Sequence, residues 1–286
     1  MIKVCLIGVG RTGKEIAKTI FEREDMKIVS AICSNGSFKK DMDLGRLSGS
    51  KEIGIKVEEV NKLEESILKH RPDVIVDFSN PEATLKNANI ISELGVNMVI
   101  GTTGFSSIDL EKIKMLANKN HVGIVYAPNI TFGINILMVL SKIATILLNN
   151  YDFQISEIHH KNKKDIPSGT ALMIAEEIKN ALLYSGKDIL DEDIAINSVR
   201  AGGVVGKHEV LIAGEYDKIT ISHESFSRKI FAEGAIKAML FIQNKKGFYE
   251  MNDVLNLSQI IMNLYSEQSE ENLDNVKDIV ATDIFE

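Results

Sequence analysis

Residues 159–170 hold the densest set of proton-moving and anion-holding groups in the chain: His159-His160-Lys161-Asn162-Lys163-Lys164-Asp165-Ile166-Pro167-Ser168-Gly169-Thr170. Five of the first six are His or Lys, inside a protein of net charge −7. Histidine gives or takes a proton near neutrality, so His159 is the first candidate for acid–base work and Lys163 the second. Ser168, Gly169 and Thr170 open a helix, where free backbone N–H groups, two hydroxyls and the positive end of the helix dipole attract anions. Cations beside such a helix start suit a small dicarboxylate. Composition alone admits a second reading, an exposed basic loop with an ordinary serine cap. A metal site is not expected: His159 and His160 point to opposite faces of a strand, and no cysteine or carboxylate cluster is evident beside them. His208 and His223 read as structural or surface residues.

A second motif lies at the start of the chain. Gly8-Val9-Gly10-Arg11-Thr12-Gly13 follows an apolar run and opens a helical pattern. In a dinucleotide-binding turn the first glycine bends the chain, the second admits a pyrophosphate and the third lets helix pack on strand. The acid that would hold the ribose of NAD at the end of the second strand is missing; Cys33-Ser34-Asn35-Gly36 stands there, with Lys39 and Lys40 beyond. Ser34 with those lysines admits the 2′-phosphate of NADPH, and a solvated loop is the equal alternative. Gly101-Thr102-Thr103-Gly104 and Ala127-Pro128-Asn129-Ile130 end later strands on the same edge, where ligands of open α/β sheets bind.

The elements that position these motifs fall into two groups. Val4–Ile7, Ile28–Cys33, Val74–Phe78, Met98–Ile100 and Gly123–Tyr126 are short β-branched runs, separated by helical stretches such as Lys14–Arg23, Pro81–Leu94 and Ile108–Asn118. That alternation predicts a doubly wound, Rossmann-like parallel sheet. Phe153–His160 then alternates, Glu209–Ala213 and Ile219–His223 read as a hairpin, and Thr170–Leu183 as a helix, which predicts an inserted α+β domain. Ala232–Phe241 and Val254–Tyr265 return to helical spacing. The expected division is 1–128 plus 229–286 for the dinucleotide and 129–228 for substrate and oligomerisation.

With 286 residues, 44% hydrophobic and 26% charged, the chain can bury a sizeable core. Its acidity argues against a nucleic-acid partner, which needs a dense basic surface. The N-terminal apolar run is too short for a signal core, and Ile134–Leu148 is interrupted by Asn135, Ser141 and Lys142, so no membrane segment is expected. Cys5 and Cys33 cannot build a disulfide framework, which fits a reducing cytoplasm. The polar, acidic stretch Glu267–Asp274 is expected to be mobile.

Glu157-Ile158-His159-His160 through Lys163, Asp165, Pro167-Ser168-Gly169-Thr170-Ala171 resembles the signature of the 4-hydroxy-tetrahydrodipicolinate reductase (dihydrodipicolinate reductase) family, E-x-H-H-x-x-K-x-D-A-P-S-G-T-A, with Ile166 the one departure. The resemblance extends over nearly the whole chain, through Asp77-Phe78-Ser79, both later loops, Arg200-Ala201-Gly202, Gly206, Ser227-Arg228, Phe231 and Gly234. It implies reduction of a cyclic imine-type dicarboxylate with NADH or NADPH in lysine and diaminopimelate biosynthesis, by a homotetramer. It implies His159 as general acid/base, Lys163 as proton donor, and His160, Ser168, Gly169, Thr170 and Arg228 at the substrate. The glycine turn is one residue shorter than the family's commoner form, and the chain runs past the family's usual end after about Tyr265.

Overall fold

In the computed structural model, residues 1–187, 194–260, 262 and 263 are described. The chain runs β1 (Ile2–Ile7), α1 (Arg11–Phe21), β2 (Met26–Cys33), α2 (Leu44–Leu47), β3 (Val57–Glu59), α3 (Leu63–His70), β4 (Val74–Asp77), α4 (Pro81–Glu93), β5 (Asn97–Ile100), α5 (Ser107–Lys119) and β6 (Gly123–Tyr126). It continues with α6 (Phe132–Leu147), β7 (Asp152–His159), α7 (Gly169–Tyr184), β8 (Ala195–Arg200), β9 (Gly206–Ala213), β10 (Lys218–Ser225), α8 (Lys229–Phe241), β11 (Gly247–Glu250) and α9 (Met251–Leu255). Glu267–Asp274, and part of the expected helix Val254–Tyr265, lie outside the described residues.

Among the described residues, strands β11-β6-β5-β4-β1-β2-β3 form one sheet with every pair parallel. The interior strands β4 and β6 are buried at every position, as a sheet covered on both faces requires. One face packs Val4, Leu6 and Val76 against Ile16 and Ile20 of α1 and Ala235 and Met239 of α8. The other packs Cys5, Ile75 and Met98 against Leu63, Ile91 and Ile113 of α3, α4 and α5. Cys5 and Cys33 are buried and free. β3 and β11 escape the sequence reading because VEE and GFYE lack the β-branched apolar run that marks β4, β5 and β6.

The second sheet has the order β10-β9-β7-β8. β9 pairs antiparallel with both β7 and β10, which is the expected hairpin, whereas β7 and β8 run parallel across the α7 connection. Strand alternation sends Phe153 and Ile155 inward against Ile174 and Ile178 of α7, with Val210 and Ile212 beside them. The same period turns Glu157 and His159 inward, at the end of the strand nearest the first sheet.

Candidate active site

The two sheets meet at a cleft of about 770 Å³. Arg11, Thr12, Gly101, Thr103, Ala127, Pro128, Asn129 and Ile130 line one side of it. His159, His160, Lys163, Gly169, Thr170 and Arg228 line the other. The basic run and the strand-end loops, remote in sequence, therefore share one space.

Strand register builds the proton-handling group. Glu157 faces Ser198 of β8 on one side and His208 of β9 on the other, and His159 faces Arg200. Glu157 is fully buried. One carboxylate oxygen accepts from Arg200 at 2.9 Å, from the Ser198 hydroxyl at 2.7 Å and from the Ser168 N–H at 3.0 Å. Its other oxygen lies 3.2 Å from His159 Nδ1 and 3.7 Å from His208 Nε2. Burial pushes the Glu157 carboxyl up, but the bonds from Ser168, Ser198 and Arg200 outweigh it and hold its pKa at about 2.

His159 is pulled down to about 4, first by burial and then by the Lys163 ammonium, with Glu157 opposing. It is therefore neutral at pH 7. The Glu157 carboxylate stands close to Nδ1 without a formed hydrogen bond, and its charge favours the proton on that nitrogen over Nε2. Lys163 pairs with Asp165 at 2.7 Å. Burial and the cations Arg11, Arg228 and Lys163 also lower His160, so positive charge converges on the cleft from both sides.

The cap of α7 is divided between support and contact. Ser168 is buried, accepts from the Ala171 N–H and lies 3.2 Å from His208 Nε2, so it positions the helix rather than facing the cleft. Thr170 donates its hydroxyl to Asn129 Oδ1 at 2.6 Å. That bond joins the start of α7 to the loop after β6.

The glycine turn fits a dinucleotide. Gly8 has φ +91°, and a Cβ there would run into the Phe78 carbonyl; a Cβ on Gly13 would run into the carbonyl of Gly8. At Gly10 nothing lies within 4 Å of a Cβ, and no side chain caps α1 there. Open space therefore stands before free helix N–H groups, as a pyrophosphate needs. Gly8, Val9, Gly10 and Gly13 shape this turn, and Arg11 and Thr12 reach the cleft.

Several expectations change. Thr102 is buried and accepts from the Ser79 N–H and the Thr84 hydroxyl, within a network around buried Asp77, so its side chain faces away from the cleft. Ser34 sits exposed at the end of β2 with its carbonyl accepting from the Ser37 N–H. A carboxylate does stand there: Glu59, from β3, accepts from the Gly36 N–H and pairs with Lys40, each at 2.7 Å. His208 is no surface residue; β9 carries it into the buried cluster, where burial and His159 lower it to about 3. His223 lines the cleft. A carboxylate also accompanies the histidines, since Glu157, His159 and His208 each offer a ligand atom within 4.8 Å of the others. These three could hold a divalent ion, although Arg200 already supplies that carboxylate with a cation. Glu157 and Arg200 were part of the resemblance but carried no role in the sequence reading.

Comparison with known proteins identifies the family. The model of the dihydrodipicolinate reductase N-terminus matches residues 2–130, and that of its C-terminus residues 133–255. The chain is 40% identical to a 4-hydroxy-tetrahydrodipicolinate reductase of Methanococcus aeolicus over 91% of this chain and 100% of that one. It is 39% identical to one from Methanocaldococcus jannaschii, over 91% and 99%. Among solved structures, a dipicolinate-bound dihydrodipicolinate reductase from Paenisporosarcina sp. TG-14 superposes with TM-score 0.71 at 28% identity, covering 87% of this chain and 97% of that one. An amine dehydrogenase from Mycobacterium smegmatis shares the fold alone, with TM-score 0.63 at 14% identity over 87% and 94%. With both family models matched in order and relatives aligned along nearly its full length, the chain belongs to the dihydrodipicolinate reductase family.

Proposed function

We propose that the protein reduces 4-hydroxy-tetrahydrodipicolinate to tetrahydrodipicolinate with NADH or NADPH, in lysine and diaminopimelate biosynthesis. The observation that carries this reading is the single cleft in which the dinucleotide turn faces His159, His160, Lys163, Thr170 and Arg228. The reaction takes up one hydride and one proton and releases water. Bound NADH or NADPH supplies the hydride. The side chains supply the rest: His160, Arg228, Thr170 and the N–H groups at Gly169 and Thr170 hold two carboxylates, and Lys163 delivers the proton. His159, held by Glu157, accepts a hydrogen bond from the substrate and is drawn toward protonation as the dianion enters, because added negative charge favours the imidazolium. Gly8 to Gly13, Gly101, Thr103 and Ala127 to Ile130 form the dinucleotide side.

In this reading residues 1–128 with 229–286 serve the dinucleotide and 129–228 serve substrate and assembly. The family resemblance adds a homotetramer and a cytoplasmic location as expectations. No helix among the described residues is long and apolar enough to cross a membrane. The deciding assay supplies pyruvate and aspartate semialdehyde to the preceding synthase and follows NADH or NADPH oxidation. Oxidation that requires both this protein and the synthase is expected; none at any protein concentration overturns the reading.

A further inference from the structure

A dinucleotide with its pyrophosphate over Gly10 directs its adenosine ribose to the end of β2, where the 2′ substituent is read. The Gly8 N–H bonds the Ile32 carbonyl at 2.9 Å, so the glycine turn rests on that strand end. The residues that follow it, Ser34-Asn35-Gly36, bring no charge. The charge comes from the adjoining strand. β3 pairs in parallel with β2 and sets Glu59 opposite Cys33, so the last residues of both strands stand level. One Glu59 oxygen accepts from the Gly36 N–H and the other pairs with Lys40. The Glu59 side chain is 14% exposed and fixed from two sides, whereas that of Lys40 is 51% exposed. Lys39 does not join the pair, but lies over the Phe38 ring at 5.7 Å.

We propose that Glu59, with Lys40 as its counter-ion, is the residue that discriminates NADH from NADPH in this chain. The inference rests on the nicotinamide-cofactor reading given above. The Glu59 carboxylate accepts from the ribose hydroxyls of NADH and repels a 2′-phosphate. Lys40, half exposed to solvent, partly cancels that repulsion and pairs with the phosphate when NADPH binds. The selectivity that the β2 end lacks is thereby carried by two residues 19 positions apart in sequence, joined across the strand ends.

Calorimetric dissociation constants for NADH and NADPH, in wild type and three variants, test this without turnover. Glu59→Gln keeps an acceptor for the Gly36 N–H and is expected to shift the affinity ratio toward NADPH by about tenfold, which corresponds to one unfavourable charge contact removed. Lys40→Glu leaves the Gly36 bond untouched and is expected to shift the ratio toward NADH by about tenfold or more. Both shifts should shrink as salt rises. Lys39→Ala should leave the ratio within about twofold of wild type, as expected for a charge that lies over the Phe38 ring and not in the Glu59 pair. A ratio unchanged in both Glu59→Gln and Lys40→Glu, or one that follows Lys39 instead, overturns the proposal while leaving the cofactor reading intact. A wild-type protein that binds neither dinucleotide overturns both.

Discussion

Replacing Glu157 by glutamine keeps the shape of a fully buried side chain and removes its charge, which tests whether that charge sets the state of His159. Three bonds converge on one carboxylate oxygen, from Arg200, Ser198 and the Ser168 N–H. A hydrogen bond to a charged group is worth about 1 kcal/mol more than one between neutral groups, so roughly 3 kcal/mol is at stake. The lower burial penalty of an amide returns part of it. A net loss of about 2 kcal/mol is expected, which for a chain of this size lowers the melting temperature by about 3 °C. The chemical effect is separable. The glutamine N–H would face His159 Nδ1 in place of an oxygen, moving the imidazole proton to Nε2 and blocking its acceptor role. Turnover should fall by about one to two orders of magnitude, less than loss of an acid or base itself. The Glu157 charge raises His159 against burial and Lys163, so its removal should move the acidic limb of the kcat/KM profile to lower pH. Thermal melts, and initial rates in the coupled assay with the synthase in excess between about pH 3 and 9, check both effects. A variant that melts with wild type, or that loses rate with no movement of the limb, would refute the positioning role.

Three further outcomes are expected. Lys163→Ala and His159→Ala should each lower turnover by about two to four orders of magnitude while leaving the NADH dissociation constant nearly unchanged; wild-type turnover in either sinks the role given to that residue. Thr170→Val should raise KM by about tenfold with little change in kcat, the effect of losing one hydroxyl at a carboxylate while the helix N–H groups remain; an unmoved KM in steady-state rates places the carboxylates elsewhere. Acid should destabilise the fold earlier than its surface carboxylates require. His159 and His208 titrate at about 4 and about 3 when folded against 6.5 ordinarily, so below pH 6.5 the unfolded chain binds protons that the fold refuses. Stability should fall by up to about 1.4 kcal/mol per pH unit for each histidine as pH drops from 6.5 toward 4. Glu157, depressed from 4.5 to about 2, adds its own loss below pH 4.5. Equal denaturant midpoints at pH 7 and pH 5 would contradict this.

The sequence displays this site unevenly. His159, Lys163 and the Ser168 cap were legible because a local run of cations before a helix start is unusual in an acidic chain. The inward turn of β7 was also legible from Phe153 and Ile155. Its next inward residue, Glu157, was not assigned a role, because a charge on an apolar period makes sense only with its partners. Those partners, Ser198, Arg200 and His208, arrive through pairing with β8 and β9, and strand register between distant segments leaves no local pattern. Glu59 was hidden for the same reason: the search for a ribose acid follows one strand, and the carboxylate stands on its neighbour. Thr102 shows the converse. A hydroxyl in a strand-end loop suggests a ligand contact, but here it serves the network that holds buried Asp77.

The bond from Thr170 to Asn129 bears on the order in which ligands arrive. A dicarboxylate that recruits the Thr170 hydroxyl takes it from Asn129, and so alters the loop after β6 that is proposed for the dinucleotide. Two ligands that compete for, or share, one bond have coupled free energies, and the coupling is reciprocal. Whatever factor a bound dinucleotide applies to substrate affinity, substrate must apply to the dinucleotide. An inhibitor shaped like the substrate would then be bound with an affinity that depends on which cofactor, and how much of it, is already present.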